Sequence, residues 1–104
     1  MALKTSPFDP AEYLEDEKDY EFYLQESFNI AREDKDPSFL YHALGTVARA
    51  KGMTELARSS GLSRESLYKS LCAEGNPEFA TILRVLEALG FKMSIEKKDA
   101  ESAA

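Results

Sequence analysis

The chain of 104 residues has one cysteine, Cys72, and one histidine, His42. An intrachain disulfide is excluded, and Cys72 reads as a small apolar side chain buried in a protein of a reducing compartment. No Cys/His cluster exists to hold a metal, and no serine has a base at recognisable spacing. The five glycines form no phosphate-cradling loop. No catalytic residue, metal or cofactor is therefore expected, and no small-molecule substrate. No apolar run approaches the about 20 residues that a membrane span needs. Met1 to Pro10 has neither the charged start nor the apolar stretch of a signal peptide. A cytoplasmic protein without a membrane partner is the expectation.

Positive charge is also scarce. Thirteen Lys and Arg stand against nineteen Asp and Glu, a net of −6. The imbalance is local. Residues 1–40 hold four basic and eleven acidic side chains, whereas residues 49–71 hold five basic and two acidic ones. One weakly basic patch thus sits on an acidic protein. A phosphate-binding surface needs local positive charge, whatever the sign of the total.

What is present is helical periodicity. Asp16 is placed to cap a helix from about Glu17 to Arg32, with Tyr20, Tyr23, Leu24, Phe28 and Ala31 at helical spacing. A short turn of helix over Ala11–Leu14 precedes it. Asp36-Pro37 is a start signal, an N-cap followed by proline at the first helical position. The helix it opens runs to about Lys51, buries Phe39, Leu40, Ala43, Leu44, Val47 and Ala48, and ends on Gly52 as a left-handed cap. Thr54 then caps Glu55–Ser60, and Ser63 caps Arg64 to about Leu71. A loop dense in breakers, Ala73 to Pro77, leads to a helix over Glu78–Leu89, with Phe79, Ile82, Leu83, Leu86 and Leu89 on one face. Phe91 to Glu96 alternates apolar and polar, the period of a strand. With no partner strand in the molecule, it must lie on the core or pair with a copy of itself.

The segment Thr54 to Lys69 carries the chemistry. Two short helices meeting at a sharp angle need a small residue where they approach, supplied by Ala57, and a left-handed turn residue, supplied by Gly61. Leu56, Leu62, Leu67 and Leu71 fill the wedge between them. Ser63, Arg64, Glu65, Tyr68 and Lys69 are left on the outer face of the second helix. A helix presented this way fits the major groove of double-stranded DNA. Arg64 suits bidentate contact with guanine, and Glu65 either accepts from cytosine or pairs with Lys69 four residues on, the second being favoured. Arg49, Lys51, Thr54 and Asn76 flank the motif and suit phosphate contacts.

These segments resemble one family over nearly the whole chain. The stretches Gly52 to Thr54, Gly61 to Lys69, Gly75 to Thr81 and Leu86 to Gly90, with the opening Met1 to Thr5 and Phe8 to Leu14, look like the Xre/HigA-like addiction-module antidote proteins. The resemblance implies an all-α, five-helix lambda-repressor-like helix-turn-helix fold with an N-terminal helical extension and one short C-terminal β-strand. It implies an antitoxin that represses its own operator and neutralises a RelE/HigB-like toxin. Ser70 stands where many such motifs carry an apolar residue, and Leu71 is expected to take that packing role.

The expected organisation is an acidic extension over 1–36, a DNA-binding domain over 37–96 and a disordered tail over 97–104. The acidic, aromatic-rich extension suits a basic RNA-cleaving partner, with Phe8, Tyr13, Leu14 and Phe22 as anchors. It reads equally as a solvated acidic face. Repressors of this shape bind as two-fold dimers, and Phe91, Met93 and Ile95 are the candidates for a homodimer contact. Two rival readings stay open: a stand-alone repressor, and a protein-interaction module that does not bind DNA.

Overall fold

The computed structural model describes residues 13–99. Phe8, all of the Ala11–Leu14 turn before Tyr13, and the tail beyond Asp99 lie outside the described residues. Five helices follow one another: α1 Glu17–Asp34, α2 Ser38–Lys51, α3 Met53–Ser60, α4 Arg64–Ser70 and α5 Phe79–Leu89.

Helix α1 starts where expected, with the Asp16 carboxylate accepting from the Asp19 N–H at 3.0 Å. It runs two residues past Arg32 and stops on Lys35, which takes the left-handed conformation (φ 56°). The Lys35 and Asp36 N–H groups close back onto the carbonyls of Arg32 and Ala31, so the last turn's orphan acceptors are satisfied. Asp36 lies one position before the N-cap of α2, which is Pro37 and not Asp36 as expected, so the helix opens at Ser38. The Asp36 carboxylate still accepts from the Ser38 N–H at 3.0 Å. That bond holds its carboxyl below the ordinary value of 3.8.

Helix α2 is the centre of the molecule. All six residues from Ala43 to Ala48 are buried, so it packs on every side rather than along one stripe. Tyr20 and Leu24 of α1, Met53 and Leu56 of α3, Leu67 of α4 and the Ile82, Val85, Leu86, Leu89 stripe of α5 close around it in a single core. Full burial of a side chain such as Leu44 or Leu67 stabilises by about 1.5–3 kcal/mol. The acidic N-terminal helix is thus part of that core, through Tyr20 and Leu24.

The structure corrects several expectations. Gly52 is not a left-handed cap. Its φ of 117° and ψ of 112° make it the last residue of one helix frame and the N-cap of the next. Its carbonyl accepts from Leu56 N–H, so α3 begins at Met53 and Thr54 lies inside the first turn instead of capping it. One residue must reverse the chain between two helices, and glycine adopts that φ without strain. Phe39, Phe79 and Leu83 are exposed rather than buried. The buried stripe of α5 is centred on Ile82, Val85, Leu86 and Leu89, which leaves Phe79 and Leu83 on its flank. Cys72 is partly exposed, its thiol near the Lys69 carbonyl. The strand expected over Phe91–Glu96 is not formed, and among the described residues there is no strand at all. A strand is defined by its ladder, and no described residue pairs with this segment.

Candidate nucleic-acid interface

Helix α4 is held from behind at points where no side chain fits. A Cβ added to Gly45, in the middle of α2, would overlap the Leu71 carbonyl oxygen. One added to Gly75 would overlap the Ser70 carbonyl oxygen. The C-terminal end of α4 is therefore seated between two glycines, with Leu67 and Leu71 buried beneath it. Ala57, the residue expected at the closest helix approach, is only partly buried; the tight contact is at Gly45. From α5, the Arg84 guanidinium donates to the Ser60 carbonyl at 2.7 Å, tying the end of α3 down just before the turn. Gly61 there is left-handed (φ 76°), as expected.

The front of α4 is open. Ser63 caps it, its hydroxyl oxygen accepting from the Ser66 N–H at 3.0 Å. Ser63, Arg64, Glu65, Tyr68 and Lys69 are all exposed, and the helix brings them together on one short element. The Arg64 guanidinium lies 5.9 Å from the centre of the Tyr68 ring, a cation–π contact one turn apart. The favoured Glu65–Lys69 bridge is not formed, whereas Lys51 pairs with Glu17 and Arg58 with Glu55. An exposed pair of this spacing gains too little to hold two long side chains in one geometry.

The flanking residues divide. Arg49 in the last turn of α2, Thr54 in the first turn of α3 and Asn76 in the loop before α5 are exposed. Lys51 is turned into the body of the protein. Its ammonium lies 2.8 Å from Glu17 Oε2 and donates to the Leu89 carbonyl at 2.7 Å. It also sits 5.5 Å from the Tyr20 ring and 5.7 Å from Phe91. It joins α1, α2 and the end of α5, and is not gathered with Arg64 and Lys69.

Of the partner candidates, Tyr13 and Phe22 are exposed, Phe22 at 64%, beside Glu21 and Glu26 on the acidic face of α1. Leu14 is partly buried against the core. Phe91 is likewise partly buried, Met93 is exposed and Ile95 fully so, at 99%. Sequence reasoning missed Gly45, Gly75 and Arg84. Gly45 had a usable signal: a glycine in the middle of an apolar helix, where it costs stability unless another backbone approaches.

Among the described residues, no group of three or more His, Cys, Asp or Glu side chains is placed to hold a metal. No described helix is long and apolar enough to cross a membrane. The fold and this exposed face define a small all-helical protein with a short, polar, outward-facing helix on a rigid seat. The family model for probable addiction module antidote proteins matches residues 4–97, and the chain belongs to that family. It is also 40% identical over 97 residues to an uncharacterised protein of Haemophilus influenzae, covering 93% of this chain and 96% of that one. No solved structure matches.

Proposed function

We propose that this protein is the antitoxin of a two-component addiction module, binding operator DNA as a homodimeric autorepressor and neutralising a basic toxin of the RelE/HigB type. Membership of the antidote family supports the antitoxin role. The observation that carries the DNA-binding part is α4 itself: it buries Leu67 and Leu71 and exposes Ser63, Arg64, Glu65, Tyr68 and Lys69 together. In this reading α3 and α4 are a helix-turn-helix of lambda-repressor type. The N-terminal end of α4 enters the major groove, and Arg49, Thr54 and Asn76 meet phosphates.

A toxin partner is favoured over a stand-alone repressor by the acidic face of α1. There Phe22 stands exposed among carboxylates, an apolar anchor inside a field that attracts a basic protein.

The test is a mobility-shift titration against the DNA upstream of the protein's own gene, with random competitor, at two salt concentrations. Arg64→Ala is expected to lose ~1–3 kcal/mol of specific binding and to relax preference at one base pair. Equal binding of operator and random DNA by parent and variant would overturn the recognition-helix assignment. It would move the reading to an interaction module.

A further inference from the structure

After Gly90 the chain turns back once, with Phe91 N–H donating to the Leu86 carbonyl at 2.9 Å. Beyond it, no backbone hydrogen bond joins residues 92–98 to another described residue. Such a stretch of unpaired donors and acceptors is a template for strand pairing. Its side chains alternate, with Phe91, Met93 and Ile95 apolar and Lys92, Ser94 and Glu96 polar. Ile95, 99% exposed, is covered by no other described residue. Met93 lines a groove of about 600 Å³ with Leu24, Phe28, Leu86 and Phe91, and a smaller one with Leu83.

We propose that the segment around Ser94 pairs with the same segment of a second copy, as an antiparallel two-stranded ribbon whose two-fold axis passes at Ser94. Self-complementarity selects that register. With the axis at Ser94, Lys92 lies opposite Glu96 of the second copy and Glu96 opposite its Lys92, two opposite-charge pairs across the ribbon. On the other face, Met93 lies opposite Ile95 of the second copy, and the reverse, so four apolar side chains close together over the groove. An axis at Met93 instead sets Lys92 opposite Ser94 and leaves both charges without their partners. A lone two-stranded ribbon is marginal in water. Here its apolar side rests on Leu83, Leu86 and Phe91, which the helices already hold. The contact is isologous, the form closed dimers take. The proposal rests on the homodimer of the reading above, and it is tested without DNA so that the two fail separately.

The experiment is sedimentation velocity on the full chain across a concentration series, with far-UV circular dichroism as a fold control. The parent is expected to be dimeric and Ile95→Asp monomeric with unchanged helix content. Lys92→Glu places like charges across the ribbon and is expected to weaken the dimer at least tenfold. Adding Glu96→Lys to it is expected to restore the dimer. In a Cys72→Ser background, Ser94→Cys is expected to cross-link under mild oxidation, because directly opposed residues lie within disulfide reach; Met93→Cys, facing Ile95, is not. A monomeric parent, or an Ile95→Asp variant as dimeric as the parent, would overturn the proposal. A dimer indifferent to both charge changes would overturn the register.

Discussion

Replacing Lys51 by methionine tests whether that residue is a clamp or a phosphate contact. Methionine keeps most of the stem that lies against Tyr20 and Phe91 but removes the charge. The main loss is the bond from the ammonium to the Leu89 carbonyl, 2.7 Å long, at the negative end of α5. A hydrogen bond to a charged group contributes about 1.5–3 kcal/mol net. The Glu17 pair adds little, about 0–1 kcal/mol, because the carboxylate side is 66% exposed. A loss of about 2 kcal/mol is expected, which in a domain of this size lowers Tm by roughly 8–16 °C. Thermal and urea unfolding followed by circular dichroism read it, with an unchanged urea slope showing that the unfolded state is unaltered. Glu17→Gln is expected to shift stability by less than about 1 kcal/mol, an effect that salt erases. The clamp argument fails if Lys51→Met melts with the parent. It fails more instructively if that variant is stable yet binds operator more weakly at a temperature where both are folded.

Three further predictions concern the seat of α4 and the start of α2. Gly45→Ala is expected to destabilise by about 1–3 kcal/mol in the same unfolding assays, since the overlapped atom is a backbone carbonyl that cannot swing away. Because Leu71 ends α4, this variant is also expected to bind operator more weakly than its stability loss explains, by mobility shift well below its melting temperature. Asp36, its carboxyl lowered by the Ser38 N–H, stabilises the fold fully above its unfolded value and loses that contribution as pH falls through its folded value. Asp36→Asn keeps an oxygen to accept from the Ser38 N–H, so its melting curve is expected to converge on the parent's as pH drops below about 4. A gap between the two that is constant with pH would refute the assignment.

The sequence was a good guide wherever one residue decides a local conformation. Asp16 and Ser63 cap the helices they were expected to cap, and Gly61 and Gly90 take positive φ. Leu56, Leu67 and Leu71 are buried as the wedge required. The misreadings lie one level up, where two segments meet. Phe79 and Leu83 fit a helical stripe as well as Val85 does, and only the angle at which α5 meets α3 decides which side of the stripe is covered. Lys51 is at the right distance from α4 along the chain to flank it, but α1 and the end of α5 supply an anion, a carbonyl and two rings that no local spacing reveals. Gly45 was passed over for the same reason, because its partner at Leu71 is remote in sequence.

The position of Lys51 alters the electrostatics of the proposed DNA complex. Of the five basic side chains between 49 and 71, Lys51 is committed to Glu17 and Leu89, and Arg58 lies against Glu55 at 3.1 Å. Helix α4 itself brings Arg64 and Lys69. A single copy that neutralises about two or three phosphates has a salt slope of only about −2 to −3, and loses about ten- to fortyfold in affinity over a fourfold rise in salt. It also binds weakly, against the repulsion of a chain carrying a net charge of −6. Two copies on one operator double the neutralised phosphates and present two α4 helices to half-sites related by symmetry. In the proposed complex, two copies are therefore expected to hold operator far more tightly than one. A variant that abolishes the Ser94 ribbon without touching α4 is expected to halve the salt slope as well as weaken binding. If Ile95→Asp bound operator with the parent's slope, the ribbon would not be what brings two copies to DNA.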